Sequence, residues 1–257
     1  WEETVKNKDR VYELTGRYPT SLFSALKLKG IEKKRPEVWQ QTDSFLSISD
    51  WAQYKLSGVA RYEHSQASET QLYDVEGKKW SEELAANFDI EINTLPELTT
   101  AGTVLATIHP EYAGRWNIST DTPVIVGGAD TQLAMKSTRP ATGDIVIVSG
   151  TTTPVTKIME SYYTDPRQRT WTNRDIEADR FILEANAGVT GLNYQRLKKM
   201  FYPREDYVII EKELARIDNP QQCIASLGSL IAEEQTPLVR GGFVFDVPVS
   251  HELTRAD

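Results

Sequence analysis

VIVGGADTQLAMKS, residues 124–137, decides how this chain is read. An apolar, β-branched run ends in two glycines, and an aspartate follows where a helix-forming stretch begins. TPVIVGG (122–128), bounded by Pro123 and the glycines, reads as a short buried strand. DTQLAMKS (130–137) reads as a helix that starts at Asp130. A carboxylate at the end of a buried strand is well placed to accept a proton from a hydroxyl. Asp is also a favoured helix cap, and the two readings are compatible. A second stretch of similar design follows at once, DIVIVSGTTTP (144–154). There Gly150 permits close approach, and Thr151, Thr152 and Thr153 bring hydroxyls without charge. A glycine turn after a strand and near a helix N-terminus suits a phosphate. An ordinary β-hairpin turn between 144–149 and 153–159 fits the same residues.

Outward from these turns the chain changes character. Residues 3–15 and 37–57 have mostly helical patterning, and FSALKLK (23–29) reads as a short helix or turn. SISDWAQYKLSG (47–58) has apolar residues close to every third position, with Gly58 as its stop. SEELAANF (81–88) is a helix capped by Ser81. After residue 120, strands and helices alternate. DIVIVSG (144–150), TPVTKIM (153–159) and RFILEANAG (180–188) are strands, and GLNYQRLKKMFY (191–202) is an amphipathic helix. YVIIEKELARI (207–217) and CIASLGSLI (223–231) are expected to be helical, and GGFVFDVPV (241–249) to be a strand. The alternation argues an α/β fold.

The chain has 257 residues, a net charge of −8 and one cysteine, Cys223. The acidic balance argues against a nucleic-acid or anionic-membrane surface. One cysteine excludes an internal disulfide framework and fits a reducing compartment. No Cys/His cluster has metal-ligand spacing. No apolar run is long enough to span a membrane, and no signal peptide is expected. WEETVKNKDRV opens inside a helical pattern and SHELTRAD stops near a helix start, so a piece of a longer chain is expected.

Asp130 and Thr151 lie 21 residues apart on successive strand ends, with RPATGD (139–144) as the linker. If that linker is a hinge, the two turns face each other across a cleft. One side then holds a base and a hydroxyl substrate, the other a phosphate donor. Phosphoryl transfer requires that layout, because its catalysis is mainly positioning and charge neutralisation.

At these residues the sequence resembles the FGGY carbohydrate kinases. FSALKLK (23–29) resembles the family's F-S-x-x-K-L segment. The run SISDWAQYKLSGVARYEHSQASETQLYDVEGKKW (47–80) resembles its D-x-x-x-Y-x-L-T-G and S-x-A-S-x-T-x-L-x-D stretches. GGADTQ (127–132) resembles the G-G-x-D-x-Q/A turn, SGTTTPV (149–155) the G-T-[SGT] phosphate loop, and FILEANAGVTGLNYQRL (181–197) the strand–Gly–helix segment at the nucleotide. DTQL and SISDW stand nearer the autoinducer-2 kinase branch than the xylulose branch.

The resemblance implies two actin-like (ribonuclease H-like) domains around a cleft, both incomplete in this chain. Residues 1–139 would be the rear part of the N-terminal sugar-binding domain. Residues 140–257 would be the front part of the C-terminal nucleotide-binding domain. It further implies ATP-dependent phosphorylation of a hydroxyl of a sugar or polyol, with ATP and Mg2+. Asp130 matches the general base, and Thr131 follows it where family members place a substrate contact. Gly150 and Thr151, with Thr152 beside them, match the residues at the β/γ-phosphates. Gly191 and Gln195, four apart on one helix face, match a glycine and a glutamine near the nucleotide. The family's D-x-G-T-x-x-x-R hairpin has no counterpart here, so magnesium ligands are expected before residue 1 and none is named. Its G-G-G-[SA] adenine motif is also missing, Leu22 stands where an aromatic is usual, and Gln235 replaces an arginine. The expected partner is a small-molecule sugar or polyol, with no nucleic acid or membrane. A homodimer is compatible with the resemblance, and the expected location is cytoplasmic. The alternative from another class is a non-catalytic sugar- or nucleotide-binding regulator of the same fold.

Elsewhere the plainer readings hold. Trp51, Tyr54, Trp80 and Phe88 are expected in the core. KLKGIEKKR (27–35) is a solvated face, His64 and His109 are surface residues, Trp116 packs a turn, and Asp74 and Asp144 shape turns.

Overall fold

The structure, a computed structural model, describes residues 3, 5–177, 179–186, 188–217, 222–226, 230–233, 236–238, 242–247, 250 and 252–257. The chain divides into two compact units, Trp1–Val146 with Thr156–Glu184, and Ile147–Val155 with Ala185–Asp257.

Helices open the first unit: α1 (Lys8–Thr15), α2 (Ser24–Lys34), α3 (Pro36–Trp39) and α4 (Ile48–Ser57). Gly16 ends α1 at φ 66° and runs so close to Thr172 that a Cβ would lie 2.6 Å from the Thr172 carbonyl oxygen. Ser47 caps α4 by accepting from the Asp50 N–H, and Gly58 closes it in the left-handed conformation. The helical patterning over 37–57 is interrupted, because residues 40–47 leave the helix. Phe45 N–H and Ser44 Oγ both donate to the Thr94 carbonyl instead. Short elements follow: β1 (Tyr62–Glu63), α5 (His64–Ala67), β2 (Tyr73–Asp74), β3 (Lys79–Trp80), α6 (Glu82–Asn87), β4 (Leu98–Thr99), β5 (Val104–Thr107), α7 (Pro110–Trp116) and β6 (Pro123–Ile125). β1 pairs in parallel with β4, and β5 antiparallel with β6. Then comes α8 (Asp130–Ser137).

One core cluster joins Val11, Leu26, Leu72, Leu84 and Phe88, and a second joins Tyr62, Ala67, Tyr73, Val75 and Phe181. Arg17, only 1% exposed, sits between the Phe23 and Trp171 rings and donates to Glu69 and Asn173. Trp51 is exposed rather than core, because α4 turns Asp50 inward and Trp51 lies one helical step away from it, and Tyr54 is exposed as well. Phe88 is buried as expected.

β7 (Ile145–Ile147), β8 (Pro154–Met159), β9 (Trp171–Arg174) and β10 (Phe181–Asn186) form a sheet in the order β7-β8-β10-β9. The second unit continues with α9 (Gly191–Phe201), α10 (Tyr207–Leu214), β11 (Gln222–Ser226), β12 (Leu230–Glu233), β13 (Thr236–Leu238) and β14 (Gly242–Asp246). Of the run 223–231, where a helix is expected, the described residues 223–226 and 230–231 are strand instead. β11 pairs antiparallel with β14 along its length, Cys223 opposite Phe245 and Ala225 opposite Phe243. A short apolar run satisfies both periods, and here pairing with a partner strand decides.

Candidate functional site

The glycine turn after β6 is held by backbone and by two side chains. Val126 exchanges hydrogen bonds with the neighbouring loop, accepting from Gly102 N–H and donating to the Thr103 carbonyl, both at 2.8 Å. Gly127 N–H donates to Gln53 Oε1 at 3.1 Å, and Ala129 N–H donates to Ser65 Oγ at 2.9 Å. Between them a Cβ on Gly128 would meet Ile176 Cδ1 at 3.1 Å and Ser65 Oγ at 3.2 Å. The turn therefore lies tight against α5 and the segment after β9, and a side chain at 128 would have to displace Ile176 or Ser65 by a few tenths of an ångström.

Ala129 occupies the cap position of α8 and Asp130 is its first helical residue. The expectation that Asp130 caps the helix is thus corrected: the cap carries no side-chain hydrogen bond. The Asp130 carboxylate is exposed and accepts from Thr131 N–H at 2.6 Å. That lone pair interaction keeps the carboxylate at the positive end of the helix, where negative charge is favoured. An exposed carboxylate has the acceptor capacity a base needs. Buried Gln132 and Met135 anchor α8, and Lys136 pairs with Glu177.

Beside this turn is a polar pocket of about 160 Å3, lined by Glu63, His64, Lys78, Thr100, Arg174 and Ile176 among others. Ile176 both lines this pocket and meets the Gly128 position, so pocket and turn share that one wall. His64 was expected at the surface. It is instead half-buried, with Nδ1 2.8 Å from the Tyr73 hydroxyl. Burial, then the charges of Arg174 and Lys78, push its imidazole below the ordinary range. His109 caps α7 by accepting from Glu111 N–H, and Trp116 packs on Tyr112. Asp74 and Asp144 each accept a backbone N–H within a turn, from Gly77 and Ala141.

The second predicted site lies in the second unit. The segment between β7 and β8 is a tight turn, with Val148 N–H donating to the Pro154 carbonyl and Gly150 N–H to the Thr152 carbonyl. The hairpin reading is therefore correct in geometry. The same turn meets the start of α9. A Cβ on Gly191 would fall 2.2 Å from the Gly150 carbonyl oxygen, and Leu192 N–H donates to the Thr151 carbonyl at 3.4 Å. The Thr153 and Thr190 hydroxyls are hydrogen-bonded to each other, and Thr153 N–H donates to the Gly188 carbonyl. The structure thus brings Gly150, Thr151 and Gly191 together, leaves Gly150, Thr151 and Thr152 exposed, and places Gln195 exposed one turn along α9. The exposed Thr151 and Thr152 beside a helix start are the donor type that phosphate oxygens accept from. Among the described residues no cluster of His, Cys, Asp or Glu has the composition to hold a metal ion. Gln235 lies outside the described residues.

Sequence reading missed Gln53 and Ser65, which are 74 and 64 positions from their turn partners. It also missed an apolar cavity of about 310 Å3 between α9, α10, β11 and β14, which none of the predicted residues lines. No helix among the described residues is long and apolar enough to cross a membrane.

Comparison with known proteins gives this geometry a context. The model of the N-terminal domain of the FGGY family of carbohydrate kinases matches residues 1–136. YoaC of Bacillus subtilis (strain 168), a sugar kinase by name, is 48% identical over 257 residues, covering 100% of this chain and 53% of YoaC. The xylulose kinase of Lactococcus lactis subsp. lactis (strain IL1403) is 28% identical over 164 residues, covering 64% of this chain and 33% of the kinase. Among solved structures, the xylulose kinase of Rhodospirillum rubrum superposes with a TM-score of 0.83 at 20% identity, covering 97% of this chain and 51% of that one. The chain spans about half the length of YoaC. Its fold is the actin-like α/β fold of these kinases, present in part.

Proposed function

We propose, for a chain that belongs to the FGGY family of carbohydrate kinases, that it carries the base and part of the phosphate site of an ATP-dependent sugar or polyol kinase. Asp130 is the general base. Its carboxylate takes the proton of an acceptor hydroxyl as that oxygen bonds to the γ-phosphorus of ATP. The bond from that phosphorus to the β,γ-bridging oxygen breaks, and ADP leaves. A base of this kind contributes roughly 10²–10⁴-fold. Thr131 contacts the acceptor, and the polar pocket around His64 and Arg174 seats it. Gly150, Thr151, Thr152, Gly191 and Gln195 hold the nucleotide side, and Mg2+ accompanies ATP.

The observation that carries this reading is the exposed Asp130 carboxylate at the first residue of α8, on a turn fastened through Gly127 and Ala129. In the same reading residues 1–139 belong to the N-terminal sugar-binding domain and 140–257 to the C-terminal nucleotide-binding domain. The enzyme acts on a small molecule in the cytoplasm.

The test is ADP release by the full parent chain with Mg-ATP. The acceptors are xylulose, glycerol, ribulose, rhamnulose, gluconate and the autoinducer-2 precursor. Release that depends on one acceptor is expected. Silence with all of them overturns the kinase reading.

A further inference from the structure

We propose that Gln53 and Ser65 are positioning residues for Asp130, each oriented by its own buried carboxylate, Asp50 and Glu63. The proposal rests on the reading of Asp130 as the base.

The two arrangements follow one logic. Asp50 is 2% exposed; it accepts from Ser47 Oγ at 2.8 Å and from Gln53 Nε2 at 3.3 Å. Gln53 Nε2 also donates to the Ser49 carbonyl at 3.2 Å. Both partners of that amide nitrogen are acceptors, so the NH2 end of Gln53 must face them. The Oε1 end is then the one presented to Gly127 N–H, which is a donor. The amide has one orientation that satisfies all three neighbours.

Glu63 is 1% exposed and caps α5. Its Oε2 accepts from Ser65 N–H at 2.8 Å, from Gln66 N–H at 3.1 Å and from the Ser65 hydroxyl. Two backbone donors already fix Oε2 as an acceptor, so the Ser65 hydroxyl must donate to it. A lone pair of Ser65 Oγ is thereby left to accept from Ala129 N–H. A further hydrogen bond, Gln66 Nε2 to Ser49 Oγ at 3.0 Å, ties the two arrangements together.

The gripped N–H groups flank Gly128, and the second belongs to the residue immediately before Asp130. They set the direction in which α8 begins, and so the position of the carboxylate. Neither side chain lines the polar pocket. Their effect on the reaction therefore runs through Asp130. Displacing a catalytic group by about 1 Å can cost about 100-fold in rate. Losing one of two grips is expected to cost about tenfold.

The experiment uses the full parent chain with Ser65→Ala and Gln53→Met, which remove one acceptor each. Two readouts are taken. The first is amide hydrogen exchange of residues 127–131, which needs no acceptor sugar. Exchange is expected to speed up about tenfold there, with 132–137 unchanged. The second is sugar-dependent ADP release with xylulose as the first probe. Here kcat is expected to fall about tenfold at unchanged KM for ATP, and Ser65→Ala is expected to add nothing in an Asp130→Asn background. Exchange at wild-type rates in both variants overturns the proposal, as does a full further loss in the Asp130→Asn background. If Asp130→Asn is itself fully active, the base reading fails and the positioning role falls with it, whatever the exchange shows. If Ser65→Ala does not fold, Gln53→Met carries the same two readouts.

Discussion

Gly191 begins α9 so close to Gly150 that a Cβ on it would lie 2.2 Å from the Gly150 carbonyl oxygen and 3.0 Å from the carbonyl carbon. Both obstacles are backbone, so no side-chain rotation relieves them. The absence of a side chain at Gly191 is what lets the threonine turn rest on the helix start.

Gly191→Ala is therefore expected to push α9 away from the turn. Overpacking of this kind costs about 1–3 kcal/mol. In the full parent chain, calorimetric titration should show ATP affinity falling at least about tenfold, as about 1.4 kcal/mol corresponds to a factor of ten. Affinity for the acceptor sugar should be unchanged.

Asp165 offers a pH test of stability. Its carboxylate is 5% exposed and accepts from Arg169 Nε at 2.7 Å, Arg169 Nη2 at 3.1 Å and the N–H groups of Arg167 and Arg169. Arg169, then those backbone donors, hold it down to about 2 against burial, which acts the other way. A depressed folded value stabilises above the unfolded pKa of about 3.9, and that stability is lost as pH falls through about 2. Asp165→Asn should lower stability by about 1–2 kcal/mol at pH 7, a figure kept small because Arg169 is half exposed and solvent-screened. Denaturation at stepped pH should show the gap between variant and wild type closing from pH 4 downward.

Leu72 is fully buried in the core cluster with Val11, Leu26 and Leu84. Leu72→Ala should cost about 2–5 kcal/mol through lost transfer energy and the cavity left behind. Chemical denaturation reads this directly as a lower midpoint at unchanged slope.

The residues around Asp130 were legible because local physics determines them. A β-branched run, two glycines and a helix former leave few alternatives, and β6, the turn and α8 appear where the pattern puts them. The turn at Gly150 was legible for the same reason. β9 was not, since WTNR buries Thr172, Asn173 and Arg174, polar residues that an inward-apolar pattern passes over. Its strand conformation comes from pairing with β10. The run 223–231 failed because its apolar positions fit a helix as well as a strand, and pairing with β14 and β13 decides between them for the described residues. Gln53 and Ser65 were invisible because neutral side chains far along the chain carry no local signal; the fold alone brings them behind the turn. Trp51 misled because aromatic size predicts burial, whereas α4 buries the carboxylate next to it.

The most direct measurement is the turnover of Asp130→Asn in the full parent chain, at saturating ATP and saturating acceptor, beside direct titrations of both ligands. The substitution keeps the shape and removes the proton acceptor. A fall of about 10²–10⁴ in kcat, with both ligands binding as in the wild type, is the predicted result. Turnover within tenfold of wild type would show that Asp130 is not the base, and would contradict the account at its centre.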